Sequence, residues 1–383
     1  MFHKPFVWII TRLRRLSPIV LFALAGCTHL AVQDCPDGDV LGKEEVRLRT
    51  SHYRVILASP ADAAARVLPY ALMSAFAYRL GEGCKDAGNE IRVTDDRANE
   101  LLDWLGKTSG DSNKWKPEPS LGMKDVNDAG RVGCEDDTGL MFHVWQRKVE
   151  QQTYVAIAFR GTSGDNDWVY ANLWWFTRFF LKDNQLTRSE AFAKAVIDHF
   201  DGQARANGEP PPRYVTTGHS LGGGLAQHVL YAYPEKIEQA IVFDPTSVTG
   251  FVGVPKESRA QACACDPRAT PEARFIRAYQ THEILVNLRV FHKLAFAPER
   301  HIHELRFPFK TSWNPVAKHS MQDFATNLYM SSGDHVWNGS KQGWLASKTD
   351  ASGVDICTGK MTGAQDASCK ISVSLKDIDV CPQ

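Results

Sequence analysis

The sequence Gly-His-Ser-Leu-Gly at residues 218–222 joins an apolar stretch to a helical one, and it constrains the fold more than any other segment. Residues 214–217 have the composition of a buried strand, and residues 221–233 have the pattern of a helix that ends before Pro234. Small neighbours let strand and helix approach closely, and the serine between them is expected to have strained backbone dihedral angles. The segment therefore predicts a serine hydroxyl presented above a sheet, at the positive end of a helix dipole.

Apolar and amphipathic segments alternate along the rest of the chain. Strands are expected at residues 140–147, 153–159, 214–217, 240–243, 275–279 and 302–307, and helices at residues 61–80, 95–105, 189–206, 221–233 and 319–329. This alternation predicts an α/β fold, with a doubly wound, mostly parallel sheet and helices on both of its faces. The chain of 383 residues is long enough for one large domain, and its zero formal net charge gives no basic surface that would indicate a nucleic-acid partner.

A serine between a strand and a helix in the pattern G-x-S-x-G is typical of a nucleophile elbow. The hydroxyl of Ser220 needs a base and an orienting acid, and in such folds the chain order is serine, acid, histidine. His319 is the best candidate for the base, because it follows the last predicted core strand at the start of a helix. The other histidines considered after the serine are His228, in the helix behind it, the pair His301 and His303 on one face of a predicted strand, and His335, the next candidate.

Two carboxylates are candidates for the acid that orients this histidine. Asp244 ends the strand that follows the nucleophile helix, and Glu283 follows the next strand. Both lie where strands end, at the edge of the sheet where functional residues collect in α/β folds. Their positions alone do not separate them.

Two motifs resemble those of a known family. Phe-Arg-Gly-Thr at residues 159–162 and Gly-His-Ser-Leu-Gly-Gly at residues 218–223 are similar to the segments that class 3 (fungal-type) lipases carry before their lid and at their elbow. The resemblance runs from about residue 68 to residue 330. It implies an α/β-hydrolase fold and the hydrolysis of carboxylic esters through an acyl-enzyme, without a cofactor or a metal.

The resemblance also bears on individual residues. It favours Glu283 as the acid, because the family's acid follows the later strand, although this chain has Glu in place of Asp and lacks the family's proline. Asp244-Pro245 is similar instead to the acid segment of pancreatic-type lipases. The oxyanion hole would use the backbone N–H of Leu221, as expected at any such elbow, and Thr162, which matches the family's second donor.

The aromatic stretch after the first motif has two interpretations. Between residues 168 and 180 stand three tryptophans, a tyrosine and three phenylalanines. In the lipase-like interpretation they form a lid and an acyl-chain groove that opens at a lipid surface. The alternative is an ordinary aromatic helix packed under the sheet.

The N-terminus has the pattern of an export signal. Basic residues precede a short apolar run at residues 17–26, too short to span a bilayer, and Leu-Ala-Gly stands directly before Cys27. This resembles the lipobox of bacterial lipoproteins and implies a lipid attached to Cys27. Because Thr28 stands where an aspartate would retain the protein in the inner membrane, the resemblance implies an outer membrane lipoprotein of the cell envelope, facing the periplasm or the exterior.

The sequence suggests the following organisation. The segments are a signal peptide with its lipobox cysteine (1–27), a tether (28–50), the lipase-like hydrolase domain (51–335) and a cysteine-containing C-terminal extension (336–383). Beyond Cys27 there are eight further cysteines, an even number that favours disulfides in an exported chain.

The favoured substrate class is an ester of a lipid or phospholipid. An acyltransferase or peptidase on the same fold remains an alternative, as does a non-catalytic surface lipoprotein that uses the scaffold for binding. No metal site is predicted, because the cysteines at 263 and 265 and the histidines at 301 and 303 lack further ligands at suitable spacing. The sequence does not indicate an oligomeric state.

Overall fold

The structure is a computed structural model, and it describes part of the chain. The described residues are 46–49, 54–57, 60–80, 94–109, 114–118, 132–136, 138–161, 184–246, 248–264, 273–280, 296–297, 301–309, 319–333, 353–355, 360–362 and 375–376.

Strands and helices alternate within these residues. The strands are β1 (Val46–Arg49), β2 (Arg54–Leu57), β3 (Lys116–Pro117), β4 (Phe142–Val149), β5 (Gln152–Phe159), β6 (Arg213–His219), β7 (Ile237–Phe243), β8 (Phe275–Gln280), β9 (Phe296–Ala297), β10 (Ile302–Phe307), β11 (Gly353–Asp355), β12 (Lys360–Thr362) and β13 (Leu375–Lys376). The helices are α1 (Pro60–Phe76), α2 (Asp95–Ser109), α3 (Asn184–Asn207), α4 (Leu221–Ala232), α5 (Lys256–Cys263) and α6 (Met321–Ser332).

One sheet of nine strands organises the described residues, in the order β2-β1-β10-β8-β7-β6-β5-β4-β3. Its five central strands, β10, β8, β7, β6 and β5, are parallel to one another. An antiparallel pair closes each edge, β4 and β3 on one side and β1 and β2 on the other. Because parallel neighbours all end at the same edge, the residues that follow β6, β7 and β8 are brought together there.

Helices cover both faces of this sheet, and each face has its own apolar core. Helices α1, α2 and α6 pack on one face, where buried side chains such as Phe243, Leu305 and Phe324 meet. Helices α3, α4 and α5 contribute to the core on the other face, around Ile157, Phe192 and Val229. The central strands are buried along most of their length because both of their faces are covered. This is the predicted doubly wound α/β architecture, and the mostly parallel sheet, the helices on both faces and the strand-to-helix elbow are consistent with an α/β-hydrolase fold.

Most predicted elements are present, with boundaries moved by a few residues. The strand at residues 302–307 has the predicted bounds, and α1 runs through Pro69 without ending there. Helix α5, of eight residues, is not among the helices expected from the sequence. The two-residue strand β3 is likewise not among the strands expected from the sequence.

The N-terminal tether was predicted to reach residue 50, but β1 already belongs to the sheet. It pairs antiparallel with β10, with Arg47 opposite Arg306. Four residues give too short a period-2 pattern to be recognised, and the strand is defined by its neighbour in the sheet. Residues 1–45, with Cys27, lie outside the described residues, and so does most of the C-terminal extension.

Two further observations concern covalent links and membranes. Cys134 and Cys263 each take part in a disulfide bond. In the part of the chain that the structure describes, no helix has the length and apolar character needed to cross a bilayer.

Candidate functional site

Ser220 stands between β6 and α4 in the strained conformation that the sequence predicts. Its dihedral angles are φ 56° and ψ −120°, a region that non-glycine residues rarely occupy. Its backbone N–H donates to the carbonyl of Phe243 at 3.0 Å, and its own carbonyl accepts from the N–H of Thr246 at 3.0 Å. These bonds tie the turn to the end of β7, so the surrounding backbone maintains the strain.

Asp244 follows β7 directly and lies fully buried at the same edge of the sheet. Its φ is 38°, a second positive value at this edge. Its backbone N–H donates to the carbonyl of Ala278 at 2.8 Å, and its Oδ1 accepts from the N–H of Gln280 at 3.1 Å. The ends of β7 and β8 therefore hold the carboxylate in one orientation.

His319 reaches this edge from the start of α6. The helix begins after Ser320, whose hydroxyl accepts from the N–H of Asp323 at 3.3 Å and so caps the first turn. Phe324 then anchors the helix against Phe243, with ring centroids 5.6 Å apart. The buried histidine is thus placed by a capped helix that packs on the same strand that carries Asp244.

The three side chains His219, Asp244 and His319 form one compact group. One nitrogen of each ring and one carboxylate oxygen all lie within 4.8 Å of one another, and all three residues are buried. The two imidazole rings have centroids 4.5 Å apart. Among the described residues, this group brings a histidine and a carboxylate together beside the strained serine.

Several predicted site residues lie outside the described residues, namely Glu283, Thr162, His335, Cys27 and the aromatic stretch at residues 168–180. Of the two candidate acids, Asp244 is therefore the one whose position relative to His319 is known. Leu221 is described and is the first residue of α4, so its N–H has no acceptor within the helix. The end of β5 lies against the elbow, since a Cβ atom on Gly161 would come 3.2 Å from the Cβ atom of Ser220.

Tyr78 and His219 form a contact that sequence reasoning did not find. The Tyr78 hydroxyl lies 2.7 Å from Nδ1 of His219, and both side chains are buried. Burial raises the pKa of Tyr78 far above its usual value, against smaller opposing effects of Arg160 and the Gly161 N–H, so the phenol stays neutral. The two residues are 141 positions apart, and no sequence pattern links them.

Arg160, the second residue of the Phe-Arg-Gly-Thr motif, is an anchor for the neighbouring loop. Its buried guanidinium forms an ion pair with Glu135 at 2.7 Å and donates to the carbonyl of Gly139 at 3.3 Å. Its backbone N–H donates to the carbonyl of Met141 at 2.9 Å. The arginine of the motif therefore holds the loop before β4 against the end of β5.

The remaining histidines considered as bases have other partners. His228 lies 2.7 Å from a carboxylate oxygen of Glu190 and 2.9 Å from the carbonyl of Thr249, on the far side of α4 as expected. His301 contacts the Tyr231 hydroxyl at 3.0 Å, and burial lowers its pKa to about 3, with the nearby charges of two arginines adding to the effect. His303 is buried within β10.

Comparisons with known proteins give distant likenesses. No family model matches the chain, and no curated protein sequence matches it. Among solved structures, an esterase from the bacterial hormone-sensitive lipase family aligns with a TM-score of 0.25 and 13% identity. An esterase/lipase from an uncultured bacterium aligns with a TM-score of 0.23 and 11% identity. Each alignment covers 72% of this chain and 100% of the other. At this level of similarity neither structure indicates an activity for this chain.

Proposed function

We propose that this protein is a serine hydrolase that cleaves carboxylic esters, with lipids or phospholipids as its substrate class. The observation that carries the proposal is the strained Ser220 between β6 and α4, beside the buried pair of His319 and Asp244. Strain at a non-glycine residue persists only where the fold enforces it, and such positions cluster at active sites. The resemblance of the two sequence motifs to class 3 lipases supports the choice of esters.

In the proposed mechanism, Oγ of Ser220 attacks the acyl carbon of the ester while a ring nitrogen of His319 takes its proton. The C–O bond then breaks, and the leaving alcohol receives that proton. Water attacks the acyl-enzyme by the same route and releases the carboxylic acid and the free serine. The backbone N–H of Leu221 and Thr162 stabilise the oxyanion, and such a donor typically contributes about 3 kcal/mol.

We assign the orienting acid to Asp244, and Glu283 is the alternative that the family resemblance favours. The carboxylate of Asp244 is held by the ends of β7 and β8 and shares its buried group with His319. In such a position a carboxylate fixes the ring's tautomer and stabilises the imidazolium that forms during the reaction.

The test is labelling of the full-length protein in detergent by a fluorophosphonate, which reacts only with an activated serine. We expect one labelled site, lost in Ser220→Ala together with hydrolysis of a panel of esters. Ser189→Ala is the matched control, because this buried hydroxyl only donates to the carbonyl of Leu186 at 2.7 Å. Absence of labelling in the folded wild-type protein would favour the alternative that the protein is not catalytic and uses the hydrolase scaffold for binding. Labelling without ester turnover would favour an acyltransferase or a peptidase.

We further propose that a lipid on Cys27 anchors the protein to the bacterial outer membrane, and that residues 168–180 form a lid. Cys27→Ser should remove the protein from the detergent phase in a partitioning experiment. Hydrolysis should rise as the substrate passes from monomers to micelles, because a lid opens at a lipid surface. A hydrolysis rate that does not change at the micelle transition would contradict the proposed lid and would not affect the catalytic assignment.

A further inference from the structure

The group formed by His219, Asp244 and His319 has the composition of a metal site as well as that of a catalytic pair. Two imidazole nitrogens and one carboxylate oxygen, all buried, lie within 4.8 Å of one another. A tetrahedral zinc ion with bonds of about 2.0–2.2 Å needs ligand atoms about 3.4 Å apart. The ligand atoms therefore need to approach one another by at most about 1.4 Å.

The Tyr78 hydroxyl determines which atom of His219 faces this group. It lies 2.7 Å from Nδ1, so the nitrogen that would coordinate an ion is Nε2, across the ring. A hydroxyl both donates and accepts, so it is compatible with the tautomer that carries its proton on Nδ1 and has a lone pair on Nε2. Histidines that bind metals are usually held in this way, by a hydrogen bond to the other ring nitrogen.

From this geometry we propose that His219, Asp244 and His319 bind a zinc ion that inhibits the enzyme. Two imidazoles and a carboxylate are ligands that suit zinc, and the carboxylate offsets part of the ion's charge in a buried position. The bound ion would engage Asp244 and the ring nitrogen of His319 that faces it, so the carboxylate could no longer orient the proposed base. The inhibition rests on the proposed function, whereas the binding does not.

Binding is tested in the full-length Ser220→Ala protein, which keeps all three ligands and lacks the nucleophile. The metal-free protein in detergent is titrated with Zn²⁺ in competition with a chromophoric chelator. We expect one tight equivalent that is lost in the added change His219→Gln and weakened about 10- to 100-fold by Tyr78→Phe. His199→Gln is the matched control, because this partly exposed histidine contacts the side chain of Gln203 on the same helix. It should leave the tight equivalent in place.

Folding is checked by thermal unfolding of each variant, and the same measurement provides a second readout. Zinc should raise the midpoint of the parent and of His199→Gln, because it binds the native state, and it should not raise that of His219→Gln. If His219→Gln does not fold, the conservative Tyr78→Phe decides the question. The proposed zinc site would be overturned if the parent bound no tight equivalent of Zn²⁺. It would also be overturned if folded Tyr78→Phe bound Zn²⁺ as tightly as the parent.

Inhibition is measured with the wild-type protein, whose ester hydrolysis should fall on addition of Zn²⁺ and return on addition of a chelator. The two proposals fail in different ways. Tight zinc binding without any ester hydrolysis would contradict the proposed function alone. Ester hydrolysis that saturating zinc leaves unchanged would contradict the inhibitory site alone.

Discussion

Gly222, the second residue of α4, lies so close to the end of β5 that it excludes any side chain. A Cβ atom at this position would lie 2.2 Å from the carbonyl oxygen of Phe159 and 2.7 Å from the carbonyl carbon of Arg160. Ordinary contacts begin at 3.4 Å, so a methyl group is about 1.2 Å too close to the oxygen. Because the obstructing atoms belong to the backbone of a central strand, no side-chain rotation relieves the clash.

The size of the effect of Gly222→Ala follows from this geometry. Overpacking a core costs about 1–3 kcal/mol, and the rigid obstacle places this site near the upper end. The better helix propensity of alanine offsets about 0.8–1.0 kcal/mol of this cost, so we expect the free energy of unfolding to fall by about 2 kcal/mol. The start of α4 carries the N–H of Leu221, and a displacement of about 1 Å should lower ester turnover by roughly 10²-fold.

Thermal unfolding and ester hydrolysis, measured on the same preparations, check this expectation. Gly222→Ala should lower the unfolding midpoint by about 3 °C. Gly202→Ala in α3 is the matched control, since a Cβ atom there meets nothing within 4 Å. It should stabilise the protein slightly and leave turnover unchanged. A Gly222→Ala protein with wild-type stability and wild-type turnover would refute the reasoning about the elbow.

Three further predictions concern the acid, the cap of α6 and the response to pH. Asp244→Asn should reduce ester turnover by orders of magnitude while Glu283→Gln changes it little, and steady-state kinetics giving the reverse order would transfer the role to Glu283. Ser320→Ala should lower the free energy of unfolding by about 1 kcal/mol and should also lower ester turnover, because the capping residue directly follows the proposed base. Thr94→Ala, at the cap of α2, should lower the free energy of unfolding by a similar amount and leave turnover unchanged. Burial lowers the pKa of His143 to about 4 in the folded protein. As the pH falls, this histidine therefore binds a proton in the unfolded protein before it does so in the folded protein. The stability that it contributes is complete above about pH 6.5 and falls by up to about 1.4 kcal/mol per unit between pH 6.5 and 4. Melting curves of His143→Gln should therefore depend less steeply on pH in that range, and an equal slope would contradict the buried neutral state.

The sequence by itself determined the fold class and the strained turn. A buried strand and an apolar helix separated by Gly-His-Ser-Leu-Gly leave few conformations for Ser220, and its positive φ follows from local spacing. The alternation of strands and helices likewise determines a doubly wound sheet, because each element buries its own apolar face. These features depend on residues that are neighbours along the chain.

Tertiary structure decided which distant residues meet at the edge of the sheet. Asp244 ends a predicted strand, and its place beside His319 depends on how α6 packs across the sheet. The contact between Tyr78 and His219 joins residues 141 positions apart. The inclusion of β1 in the sheet depends on its pairing with β10, in which Arg47 lies opposite Arg306. Such contacts depend on how whole helices and strands pack against one another, so a local sequence pattern does not predict them.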